Sequence, residues 1–179
     1  MHLYVAFLRA INVGGHTVKM DRLRALFQAL ELADVETFIA SGNVIFRSPS
    51  ADAAALETRI EAHLQAELGY AVATFLRTPA ELAASVAHQP FADRLEDGHS
   101  LHVGFMKHAP DAEAVKRLKA LETDMDEFAT HARELYWLCR TRVSESKVTG
   151  ARLEKALGMP ATLRNVTTVR KLAAKYPHA

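Results

Sequence analysis

The order of apolar periodicities in this chain occurs twice. A strand pattern, a helix pattern, two strand patterns and a helix pattern recur as the same five after one further strand and a helix. Residues 3–8 read as a buried strand around Val5 and Phe7. Residues 20–32 carry Leu23, Leu26, Phe27 and Leu30 at the spacing that gathers apolar groups on one helix face. Two β segments, 37–39 and 44–46, flank the turn former Ser41-Gly42-Asn43. Residues 51–68 place Leu56, Ile60, Leu64 and Leu68 on one face, and Gly69 follows as a C-cap. Residues 72–76 form a further strand. Thr78-Pro79-Ala80-Glu81 then opens a helix, with Thr as N-cap, Pro in the first helical position and Glu placed to close a capping box.

The pattern restarts at residues 101–106, a strand, and continues with a helix over 111–121 that aligns Val115, Leu118 and Leu121. Residues 127–131 and 135–140 make a hairpin around Arg133, residues 147–157 a helix closed by Gly158, and residues 168–176 a last helix. The join falls in the polar stretch 89–98, which holds Pro90 and Gly98. The expected architecture is α+β, with β-α-β-β-α occurring twice. A first subdomain covers 1–95, and a second covers 96–179 and ends in a C-terminal helix. The repeat is read from element order and not from residue identity.

Composition narrows the function classes. The formal net charge is +1, with acids and bases interspersed, which argues against a dedicated cationic nucleic-acid surface while leaving room for a local patch. No apolar run approaches the roughly 20 residues a membrane-crossing helix needs. The chain starts on a strand pattern instead of a cationic leader, and its single cysteine, Cys139, allows no internal disulfide. A cytoplasmic protein with no membrane partner is expected. The sequence names no cofactor and no oligomeric state.

Three polar motifs stand out. In the first, Arg9 ends the strand pattern, and Asn12, Gly14, Gly15 and Lys19 lead into a helix. Glycines there free backbone N–H groups to point at an anion, and the helix start adds its positive end. The run lacks both the P-loop ending and the three-glycine dinucleotide fingerprint, and a tight strand-to-helix turn is the ordinary explanation. In the second, Ser41 and Asn43 break two β segments that should neighbour the first strand. In the third, Arg164, Asn165 and Lys171 precede and enter the last helix, where Asn165 or Thr167 could serve as N-cap.

Other patterns are weaker. Ser144-Glu145-Ser146-Lys147 has the spacing of serine acyl enzymes but lacks their companion motifs, so Ser144 or Ser146 reads as a helix N-cap. The nine histidines show no metal-ligand spacing, and no metal is expected. Cys139 shares a strand face with Leu135 and Trp137 and reads as a buried thiol. Asp124, Asp126 and Glu127 read as a solvated loop.

The runs Leu8-Arg9-Ala10-Ile11-Asn12-Val13-Gly14-Gly15, Ser41-Gly42-Asn43-Val44-Ile45-Phe46 and Arg164-Asn165-Val166-Thr167-Thr168-Val169-Arg170-Lys171-Leu172 occur in this order and span nearly the whole chain. In these motifs the chain resembles domain-of-unknown-function family 1697, a family of bacterial proteins. The resemblance implies a duplicated ferredoxin-like fold and no established activity. Two positions depart from the family pattern: Ala10 stands where members usually carry Gly, and Val166 where they usually carry Trp. A ligand stacked on that Trp would lose the stack here.

The combined expectation is a binding protein for a small anionic ligand, phosphate-bearing or nucleotide-like, held in a cleft between the subdomains. Arg9, Asn12, Gly14, Gly15, Lys19, Ser41, Asn43, Arg164, Asn165 and Lys171 are its candidate contacts. An enzyme using the same polar cluster and a nucleic-acid-binding protein are the alternatives, and no catalytic residue is assigned. The RNA reading lacks the aromatic, Gly-rich strand signature.

Overall fold

The computed structural model describes residues 1–12, 14–39 and 42–178. It is a mixed α/β fold with two four-stranded antiparallel sheets and six α-helices among the described residues. The chain divides into two units, Met1–Glu81 and Leu82–Ala179. The division lies ahead of the polar stretch 89–98 that composition marks as the join.

The first unit runs β1 (His2–Leu8), α1 (Met20–Gln28), β2 (Ala33–Thr37), β3 (Asn43–Ser48), α2 (Ala53–Leu68) and β4 (Thr74–Arg77), and α3 (Pro79–Ala87) begins at its end. Its sheet order is β2-β3-β1-β4. The central strand β1 pairs with β3 from His2↔Ser48 to Phe7↔Asn43, and with β4 from Val5↔Arg77 to Leu8↔Thr74. Alternation puts Tyr4, Ala6 and Leu8 on one face, where they pack with Leu23, Phe27, Leu56, Ile60 and Leu64 from α1 and α2. Asp52 accepts from the Ala55 amide to start α2, and Gly69, at φ 82°, ends it.

Side chains of α2 reach the outward-facing amides of β4. Glu57 accepts from the Leu76 amide at 2.9 Å, and Glu61 from the Thr74 amide at 3.2 Å. Four residues of helix rise about 6 Å, and two residues of strand advance about 6.6 Å. The two carboxylates therefore match successive outward-facing amides.

The second unit runs β5 (Ser100–Met106), α4 (Ala112–Lys119), β6 (Asp126–His131), β7 (Glu134–Cys139), a short 3₁₀ turn (Val143–Glu145), α5 (Gly150–Leu157), β8 (Ala161–Asn165) and α6 (Val166–Lys175). Its sheet order is β6-β7-β5-β8. Met106, Phe128, Leu135, Trp137 and Cys139 pack under Leu118, Leu153 and Leu157 from α4 and α5.

The strand registers expose a likeness of residues that element order alone hides. Leu3-Tyr4-Val5-Ala6-Phe7-Leu8-Arg9 corresponds to Leu101-His102-Val103-Gly104-Phe105-Met106-Lys107. Val5 pairs with Arg77 and Val103 with Arg164, each arginine following a leucine. Phe7 faces Asn43 and Phe105 faces Glu134, so one buried polar residue occupies the same register position in each sheet.

Several elements differ from expectation. β2 lies at 33–37 instead of 37–39, because Ile39 takes φ 56° and stands exposed, outside any strand. β8 is a strand that periodicity does not reveal, since the residues it buries are Thr162 and Arg164. α5 is capped by Thr149, which accepts from the Arg152 amide at 3.2 Å, and not by Ser144 or Ser146. Asp126 is not in a solvated loop: it starts β6 and is 1% exposed.

Candidate ligand site

In the first unit, backbone bonds gather the expected residues at one end of the sheet. The Leu8 amide donates to the Gly42 carbonyl and the Arg9 amide to the Ala73 carbonyl, both at 2.9 Å. A methyl group on Gly42 would sit 2.8 Å from Ile11 Cγ2, so the turn needs glycine for close approach as well as for its φ of 81°. Asn43 is buried, and its Nδ2 donates to the Phe38 carbonyl at 2.8 Å. Ser41 lies outside the described residues, as does Val13.

The loop that follows is braced from within. Asn12 Oδ1 accepts from the Val18 amide at 2.8 Å. Tyr70 donates its hydroxyl to the Ile11 carbonyl at 3.0 Å and stacks on His16 at 3.9 Å between ring centroids. Ala10 holds φ 56°, the left-handed backbone that Gly would adopt without cost. Gly14 and Gly15 are exposed, with φ of 64° and 83° and open space where a side chain would stand. Lys19 precedes α1 and is exposed. The Asn12 oxygen thus serves the loop, while Gly14, Gly15 and Lys19 face solvent.

In the second unit, Arg164 is 7% exposed, and it donates to Thr162 Oγ1 at 2.8 Å and to the Leu163 carbonyl at 3.0 Å. Burial lowers its pKa to about 10, which leaves it cationic at neutral pH. Asn165 caps α6, its Oδ1 accepting from the Thr167 amide at 2.9 Å. The cap satisfies one of the unpaired donors of the first turn and leaves others for water or a ligand.

This helix start opens on a cleft of about 380 Å³ lined by Asn165, Val166, Thr167 and Arg170 together with the 95–101 segment. That segment supplies Glu96, Asp97, His99 and Ser100. Among the described residues no ion pair engages Arg170. Lys171, a candidate from the sequence, does not line the cleft, whereas its neighbour Arg170 does. The spacing of Thr167 and Arg170, three apart on one helix face, was the signal available for Arg170. Glu96 to Ser100 carried none, because the polar run reads as a linker.

The other chemistry-bearing groups are tied into structure. Burial pushes the Asp126 carboxyl up, but bonds from Thr123, Trp137, Ser146 and Cys139 outweigh it and hold it below the usual carboxylate value. Glu127 accepts from Arg94 at 2.9 Å and from Arg140 at 2.5 Å. His88 stacks on His131 at 4.2 Å, and burial followed by that neighbour lowers its pKa. Among the described residues no group of His, Cys, Asp and Glu could hold a metal ion. No described helix is long and apolar enough to cross a membrane.

Against known proteins, residues 1–136 match a family model described as "Protein of unknown function (DUF1697)". A solved structure of a conserved bacterial protein from Streptococcus pneumoniae is similar in fold, with a TM-score of 0.75 and 24% sequence identity. The match covers 97% of this chain and 97% of that one. No curated protein matches the chain.

Proposed function

The chain belongs to the DUF1697 family, and from that premise we propose that it binds a small phosphate-bearing, nucleotide-like ligand at the start of α6. The observation that carries this reading is the cleft itself. It combines a capped helix N-terminus, the guanidinium of Arg170 and the hydroxyl of Thr167 within about 380 Å³. A helix start favours anionic oxygens through its unpaired N–H groups and its dipole. Arginine matches a phosphate with a planar fork of donors. Glu96 and Asp97 in the same lining suit sugar hydroxyls, which donate to carboxylates, so a phosphorylated sugar fits both halves of the cleft.

The same reading takes the two units as duplicated ferredoxin-like subdomains. Each has the element order β-α-β-β-α-β that defines that motif. Arg164 then serves as the brace that sets β8 and the α6 cap, with Asn165 at the ligand's edge. Among the described residues the exposed large hydrophobics are Met1, Met20, Ile39, Leu95 and Met125, so a nucleic-acid reading draws no support from Phe, Tyr or Trp in that set.

Calorimetric titration with AMP, adenosine and inorganic phosphate tests the proposal. AMP should bind more tightly than either fragment. Arg170→Gln should weaken AMP by about tenfold, the loss of roughly 1.4 kcal/mol expected when one charge-assisted contact goes, with the urea midpoint unchanged. Equal binding by the variant, or no AMP binding at millimolar concentration, refutes the assignment.

A further inference from the structure

We propose that the groove between α4 and α5 is a separate ligand site that takes a small amphiphilic anion, an apolar body carrying one carboxylate, sulfonate or phosphate. The groove measures about 380 Å³ and is lined by Arg117 and Leu121 from the α4 side and by Arg152, Lys155 and Ala156 from α5. That volume lies in the range of small-molecule pockets, roughly 300–1,000 Å³. Leu121 and Ala156 give it an apolar floor, and three cations and no carboxylate line it.

Helical spacing builds the arrangement. Ala156 follows Arg152 by four residues, so α5 presents one cation and one apolar group along a single stripe, and Leu121 meets it from the turn just past the end of α4. Lys155 stands three residues from Arg152 on the same bank. Two of the cations have other local roles. Arg117 donates its Nε to the Ala156 carbonyl at 2.8 Å, which satisfies the C-terminal end of α5. Lys155 lies in the last turn of α5, where positive charge complements the helix dipole.

Arg152 has no such reason to be there. It sits in the first turn of α5, where a cation opposes the dipole, and its spacing to Lys155 is a like-charge pair. Its one side-chain hydrogen bond among the described residues goes to the Lys147 carbonyl at 2.9 Å, which holds the guanidinium in place without neutralising it. An anion in the groove would offset both repulsions at once. The apolar floor selects against a bare inorganic ion and for one with an aliphatic or aromatic body.

The full chain titrated with 8-anilinonaphthalene-1-sulfonate, dodecanoate and dodecyl phosphate tests this. The first is followed by its fluorescence, the others by its displacement. Saturable binding at one site is expected, weakened at least about tenfold in Arg152→Gln/Lys155→Gln and weakened by added salt. Arg117 is left intact because it braces α5. Leu121→Gln should weaken the probe with Lys155 and Arg152 in place, and Trp137 emission should confirm that each variant is folded. Arg170→Gln should leave this binding unchanged, which separates the groove from the α6 cleft. Three results overturn the proposal: no saturable binding of any of the three probes, undiminished binding by the double variant, or cosedimentation with phosphatidylglycerol vesicles without response to the monomeric anions.

Discussion

Replacing Asp126 isolates a buried carboxylate beside the chain's only tryptophan. Asp126 Oδ1 accepts from Trp137 Nε1 and from Ser146 Oγ, each at 2.9 Å, and Oδ2 accepts from Thr123 Oγ1 at 2.7 Å. A hydrogen bond to a charged acceptor contributes about 1.5–3 kcal/mol, and a buried donor left without a partner costs about 1–3 kcal/mol. In Asp126→Ala the Thr123 and Ser146 hydroxyls can turn to water, but the indole of Trp137, 1% exposed, cannot. The expected cost is about 3 kcal/mol, on the order of a hundredfold in the folded-to-unfolded ratio. Asp126→Asn keeps an oxygen for Trp137 and Ser146 but turns an amide toward Thr123 Oγ1, which already accepts from the Met125 and Asp126 amides, so about 1–2 kcal/mol is expected.

Urea unfolding followed by Trp137 emission and by far-ultraviolet circular dichroism reads both variants. The pH dependence adds a signed check. The folded Asp126 pKa lies below its unfolded value near 3.8, so its charge stabilises the fold above that pH. As pH falls through the folded pKa the contribution is lost, so wild type and Asp126→Asn should begin to converge below about pH 4 and meet only below the folded pKa. An alanine variant within 0.5 kcal/mol of wild type, a value well under one such bond, would refute the reasoning, as would an asparagine variant equal to alanine.

Three further outcomes follow from backbone and burial. Ala10→Gly should stabilise the chain by about 0.5–1 kcal/mol in urea melts, because relief of a left-handed alanine, about 1–2 kcal/mol, exceeds glycine's extra unfolded-state entropy; a loss of stability would show that φ 56° at Ala10 carries no strain. Gly42→Ala should cost roughly 2–4 kcal/mol from positive φ and from contacts at 2.8 Å to Ile11 and 3.2 Å to Leu8, and a neutral result would contradict that packing. Cys139, buried and with its pKa raised by that burial, should label with Ellman's reagent only after unfolding, and rapid labelling of the folded chain would contradict its placement.

Much of the fold was legible because it rests on aliphatic periodicity. Leu23, Phe27, Leu56, Ile60 and Leu64 predicted the helices that bury them, and Gly69, Gly158 and the Thr78 cap marked ends that the structure keeps. β8 escaped because its buried positions are a threonine and an arginine, whose polarity mimics a loop until Val103 pairs with Arg164. Asp126 escaped for a related reason. An aspartate between Met125 and Glu127 looks solvated, and its donors Trp137 and Ser146 come from distant positions that only the fold brings near. In the candidate site, the cap of α6 was legible as Asn165 or Thr167, and the structure gives it to Asn165. Arg170 was overlooked beside Lys171 because charge alone does not say which helix face meets a cleft.

The two glutamates of α2 have a meaning beyond the stability of one strand. An uncovered β edge is a template on which another chain can lay down a strand, and a sheet that can be extended once can be extended without limit. Glu57 and Glu61 occupy the amides of Leu76 and Thr74 with side chains that offer no further backbone to continue the ladder. The pitch match between helix and strand thus acts as a stopper. It ends sheet growth along β4 inside the molecule, and it places carboxylates where an incoming strand would have to displace them.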